Sequence, residues 1–222
     1  MEAASGALAR MDYLACEARC LEALAIARDR GNWAYYARIL LPLQESRRQR
    51  RMIATEGTVR LGSSNLAGDM ASWLERMGHG ALVVTRPLQP QTAAALSALA
   101  QAKRRYVEVL FADNMVEAES WTLRSFAGPA VTCSIAPPPT ALIDQWIACN
   151  GETRGKPSPS DWFLVAAEAL GDAALAQVDQ NLRGARRVEA IERCLRVVTD
   201  HEILHQCLGA AARAAQSDTV HS

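Results

Sequence analysis

The chain has 222 residues, half of them hydrophobic, with 24 Lys plus Arg against 24 Asp plus Glu. It can bury a sizeable interior without staples, and its zero net charge excludes a global field that would draw nucleic acid or an anionic membrane, so neither is expected as a partner. No run approaches the ~18 apolar residues of a membrane span, and the start, Met1-Glu-Ala-Ala-Ser-Gly6, is not patterned as a signal segment; a soluble, cytoplasmic protein is expected.

Residues 8–30 read as one helix, with Leu14, Ala18, Leu21, Ala25 and Arg28 along one line and Leu24 and Ala27 widening the apolar stripe. Cys16 and Cys20 share a face at i, i+4; with the other four cysteines, which show no C-x-x-C spacing, they read as reduced thiols. Gly31-Asn32 breaks the helix, and a second one from Trp33 to Arg51 carries Tyr36, Ile39, Leu40 and Leu43, with Pro42 expected to kink it or end its first half. The two form an N-terminal helical hairpin over residues 1–56.

Gly31, Trp33 and then the small and aliphatic Ala37 and Leu40 give this hairpin a resemblance to tetratricopeptide-type repeats, although no period of about 34 residues recurs. The resemblance covers about a quarter of the chain and implies a helical surface that binds another protein. The hairpin ends in Arg47-Arg-Gln-Arg-Arg51. Clustered guanidinium groups suit phosphate oxygens, and cations also complement a helix C-terminus; without interleaved aromatic residues the second role is expected.

Residues 57–149 read as an α/β core. Short apolar runs at Thr58–Gly62, Ala81–Thr85, Tyr106–Phe111 and Ala130–Ala136 alternate with helix-like segments, one carrying Leu66, Met70, Trp73, Leu74 and Met77 and the next Leu96, Leu99 and Ala100. That alternation predicts a small parallel or mixed sheet with crossover helices, flanked by helical hairpins at both ends. Right-handed crossovers would gather Ser63, Asn65, Thr85, Arg86, Asp113 and Asn114 at the carboxyl ends of the strands. Among these, Ser63, Asn65, Arg86 and Asp113 are the candidates for holding a small anion. No G-x-G-x-x-G or P-loop pattern accompanies them.

Pro137-Pro-Pro139 ends the sheet region, and Thr140 is placed to cap a short helix with Leu142, Ile143, Trp146 and Ile147 apolar. Residues 150–160, rich in Gly, Pro and Ser, read as a linker. A C-terminal helical bundle then occupies 161–216, with Trp162, Phe163, Ala166 and Leu170 on its first helix and Val188, Ile191, Leu195 and Val198 on its second. Residues 217–222 read as a disordered tail.

The third helix of that bundle begins at His201-Glu-Ile-Leu-His205. This H-E-x-x-H resembles the zinc-metallopeptidase signature, which implies His201 and His205 as ligands of a Zn²⁺, Glu202 as general base on its water, and a third ligand further along, where only Asp218 and His221 follow. The residues themselves also spell a capping box, Thr199-Asp-His-Glu202, which leaves both histidines at or near solvent. The functional expectation is a non-catalytic interaction or adaptor protein without a cofactor, binding another protein. A zinc-dependent hydrolase and a small-anion binding protein are the alternatives. Trp33, Tyr35 and Tyr36 are the aromatic candidates for an interface, with packing in the interior expected for at least two of them.

Overall fold

The computed structural model describes residues 2–62, 70–114, 119–138, 147–148 and 159–220. The elements, numbered in chain order, are α1 (Glu2–Ala9), α2 (Tyr13–Asp29), α3 (Trp33–Glu56), β1 (Thr58–Gly62), α4 (Met70–Met77), β2 (Gly80–Thr85), α5 (Pro90–Ala102), β3 (Val107–Ala112), β4 (Trp121–Arg124), β5 (Thr132–Ile135), β6 (Ile147–Ala148), α6 (Pro159–Ala176), α7 (Gly184–Cys194) and α8 (Glu202–Val220). This is the expected α/β arrangement: a mixed sheet with helices before and after it. By contacts the chain forms two units, Arg50–Ala173 holding the sheet and Met1–Gln49 with Ala174–Ser222 forming a helical unit.

In the sheet unit the strand order is β5-β4-β3-β2-β1-β6. The first three strands run parallel, with Thr58 beside Gly80 and Gly80 beside Val107, and β4, β5 and β6 run antiparallel to their neighbours. Strand β2 is buried at every position because, as the middle of three parallel strands, it is covered on both faces. On one face Leu82, Val84, Val107, Val109 and Phe111 pack under Trp73, Leu74 and Met77 of α4 and Ala93, Leu96 and Ala100 of α5. Elsewhere in the unit the last turns of α3 reach strand and helix by ion pairs, Arg50 with Glu108 of β3 at 3.3 Å and Arg51 with Glu168 of α6 at 2.7 Å. Trp162 of α6 meets Trp121 of β4 edge to face and donates through Nε1 to the Ala136 carbonyl.

Two of these strands were not expected. The four-residue β4 is legible only through its partners β3 and β5, and Ile147, read as helical, pairs with Val59 as part of β6. The remainder of that expected helix, nearly all of the 150–160 linker, and Leu66 lie outside the described residues. Gly57 permits the entry to β1, since a Cβ there would stand 2.7 Å from the His79 carbonyl oxygen.

In the helical unit, the helix expected over 8–30 is two helices. The Asp12 carboxylate accepts from the Ala15 N–H at 3.1 Å and starts α2 afresh, and Met11 before it has φ 57°. Gly31, at φ 62°, makes the turn into α3, where Asn32 Oδ1 accepts from the Tyr35 N–H and Gln216 of α8 accepts from that of Ala34. Helix α3 continues through Pro42 to Glu56. The ring removes one helical donor, but Arg38, whose carbonyl would have accepted it, is exposed. Trp33 and Tyr36 are buried against each other and Tyr35 is half-buried, as expected for two of the three aromatics. Helix α8 runs to Val220, into the segment read as a tail.

Candidate functional site

Helix α2 is buried along Tyr13, Cys16, Glu17, Cys20, Leu24 and Ala27, so it is turned away from the line expected to pack. Leu14, Ala18, Leu21 and Ala25 are left on its outer side. Leu21 is 45% exposed, Ala18 is exposed, and Leu14 and Ala25 are half-buried. These positions are spaced four, three and four residues apart, the alternation that forms a straight seam for a second helix. Beside the row, Arg19 and Glu22 form an exposed ion pair at 2.9 Å, and Ile26 is also exposed. The reason for the orientation is Glu17. It occupies the buried face because its carboxylate takes the Arg47 Nε–H at 2.7 Å, an ion pair in which both side chains are about nine-tenths buried.

That pair opens a polar network inside the helical unit. Arg47 Nη1 donates to the Thr199 carbonyl at 2.9 Å, and His205 Nε2 donates to the same oxygen at 3.0 Å. His201 and His205 are 0% and 2% exposed, so the expected position at or near solvent is corrected. The capping box is corrected as well. Helix α8 begins at Glu202, the His201 carbonyl accepts its first helical bond from His205, and the His201 ring itself is the cap, Nδ1 accepting from the Leu204 N–H at 3.2 Å. Glu202 is exposed, and its carboxylate accepts from Gln206.

Burial holds the His205 ring down to about pH 4 before it protonates, with the Arg47 cation adding to the effect and the bond to Thr199 opposing it. His205 is therefore neutral near pH 7, with its proton on Nε2; Nδ1 is buried and has no hydrogen-bond partner among the described residues. The continuous α8 also bears on the third ligand implied by the metallopeptidase resemblance. Asp218 stands about 20 Å along the axis from His205 at ~1.5 Å per residue, and His221 lies outside the described residues. Among the described residues no three His, Cys, Asp or Glu side chains assemble as a metal group.

At the carboxyl ends of the parallel strands, Arg86 and Asp113 come together as expected. Arg86 donates through Nε to Asp113 Oδ1 at 2.6 Å and also through Nη2, and its N–H donates to the Asn114 carbonyl. Arg124 of β4 approaches the other carboxylate oxygen at 3.4 Å, so two partly exposed cations flank one anion. Ser63 and Asn65 lie outside the described residues. Thr85 is buried and its hydroxyl donates to the Arg86 carbonyl.

The basic run is inside α3 and does not end it. Arg47 and Arg50 are buried on carboxylates, Arg51 is paired with Glu168, and Arg48 alone of the four is well exposed, 3.9 Å from Glu45. Sequence reasoning missed Glu17, Arg47 and Arg124 as members of these clusters. For Glu17 a signal existed, a carboxylate between Cys16 and Cys20 on the buried side of a helix, which requires a partner; for Arg124 none existed without β4. Comparison with family models, with curated proteins and with solved structures found no match.

Proposed function

We propose that this is a non-catalytic interaction protein of the cytoplasm, an adaptor that needs no cofactor, and that α2 presents its binding surface. The observation that carries the reading is the outward row Leu14, Ala18, Leu21 and Ala25 at seam spacing, exposed at Ala18 and Leu21 and half-buried at its two ends. An apolar helix face kept in water loses about 25 cal/mol for each Å² it fails to bury, and a row spaced for knobs and holes is covered best by another helix. The partner class is thus a protein offering an amphipathic helix with a matching apolar stripe. The described cysteines are all free thiols, which fits a reducing compartment.

A photo-crosslinking residue placed at Ala18 tests this in cell extract. A helical partner joined there, and lost when Leu21→Glu is added, is the expected result. Crosslinking unchanged by Leu21→Glu would overturn it.

A second reading has a separate observation behind it. Arg86 and Arg124 share the single carboxylate of Asp113 at the end of the sheet where open α/β folds hold ligands. A small anion such as inorganic phosphate would then raise the melting temperature, and Arg124→Ala would remove the rise. The zinc-hydrolase alternative with His201, Glu202 and His205 has less support, since among the described residues no third metal-binding side chain assembles with the two histidines and Glu202 bonds Gln206. Zinc per chain after incubation with the metal, compared between wild type and His205→Ala, tests it.

A further inference from the structure

We infer that the helix covering the α2 row is α2 of a second copy of this chain, laid antiparallel across a two-fold axis. The inference rests on the reading of α2 as a binding surface and names its occupant. An isologous contact requires a surface complementary to itself, and this row has that property in one orientation. Antiparallel pairing centred between Arg19 and Cys20 sets Leu14 of one copy against Ala25 of the other and Ala18 against Leu21, so that every layer joins one large and one small side chain. Such layers interdigitate, and the alanines let the two helix axes approach closely. Parallel pairing would instead stack leucine on leucine and alanine on alanine.

The charges follow the same symmetry. Arg19 and Glu22 flank the row as an exposed pair. The antiparallel axis runs beside Arg19 and brings Glu22 of the other copy within reach of it, so the two intrahelical pairs become four alternating charges. Parallel pairing would put the Arg19–Glu22 pairs of the two copies on opposite flanks of the seam, out of reach of each other. The polar rim thus favours the orientation that the apolar layers favour, and the two observations are independent.

Area limits the strength. A seam along α2's 17 residues falls at or below the ~1,200 Å² at which stable complexes begin, which makes the dimer a weak one that exchanges with monomer and can give way to a helix of another protein.

The test is sedimentation equilibrium of the full chain over a wide concentration range. Wild type is expected to pass from the one-chain to the two-chain mass, and Leu21→Glu, at a position already 45% exposed, to dissociate about thirtyfold or more readily while melting at the wild-type temperature. Orientation is read from an equal mixture of Ala18→Cys and Leu21→Cys chains under mild oxidation, with wild type as the control for the native thiols. The mixed disulfide is expected, whereas the two homodisulfides in its place would overturn the antiparallel seam. A wild type that stays at the one-chain mass throughout would overturn the inference. If the Ala18 crosslink to a different protein nevertheless depended on Leu21, the adaptor reading would stand without it; if neither dimer nor crosslink responded to Leu21→Glu, both would fall.

Discussion

The cluster beneath α4 and α5 is apolar throughout, whereas the interior of the helical unit is threaded by Glu17, Arg47, His201 and His205. The first can be assembled from almost any side chains of suitable volume, because dispersion and the hydrophobic effect have no direction. The second is sensitive to a missing member, because its buried polar groups depend on one another, Arg47 on the Glu17 carboxylate and both Arg47 and His205 on the Thr199 carbonyl. The difference locates where each of the two is vulnerable: volume in the apolar cluster, charge in the polar network.

Phe111→Ala is the largest test of that contrast. Emptying a fully buried ring position should lower the unfolding free energy of the sheet unit by about 4 kcal/mol, measured by urea denaturation. In the helical unit Glu17→Gln keeps the volume and removes the carboxylate from Arg47, and a loss of about 3 kcal/mol is expected. The contrast sharpens if Glu17→Leu with Arg47→Met restores most of it, since a well-packed apolar pair is then shown to serve as well.

Acid supplies the next step down. His205 is depressed from near 6.5 to about 4 in the folded chain, so between those values the unfolded chain binds the extra proton and stability rises with pH. The contribution is complete above pH ~6.5 and is lost as pH falls through about 4, up to about 3 kcal/mol. Unfolding curves of wild type and His205→Gln, compared across that interval, should differ in slope; parallel curves would remove His205 from the account. The smallest effect is expected from Glu202→Gln. An exposed carboxylate bonded to Gln206, with His201 already capping the helix, should change stability by about 0.5 kcal/mol or less. A loss near 1 kcal/mol would return the cap to Glu202.

The alternation of apolar runs made β1, β2 and β3 and the helices between them legible, because parallel strands covered on both faces read as continuous apolar stretches. The gathering of Arg86 and Asp113 followed from that topology alone. Two other features were hidden for stated reasons. The orientation of α2 was not legible because Leu14, Ala18, Leu21 and Ala25 form the more apolar stripe by composition, yet the pair Glu17–Arg47, joining residues 30 apart, turns the other side inward. The histidines were misplaced because a capping box and a ring-nitrogen cap share the same letters. Which one forms depends on where Arg47 and Thr199 stand, and no local window contains both.

The three inward arginines of α3 carry a consequence for the order in which the protein is made. Their carboxylates are residues 17, 108 and 168, so synthesis delivers the first before the helix and the others long after it. A ribosome paused between Glu108 and Glu168 holds a nascent chain in which the Arg51–Glu168 ion pair has not yet formed, so its surface carries more positive charge toward polyanions such as the ribosomal RNA beside it. Release from that surface then coincides with completion of α6. Salt-dependent retention on heparin by a fragment truncated before Glu168, absent from the full chain, would record the negative charge that α6 brings to Arg51.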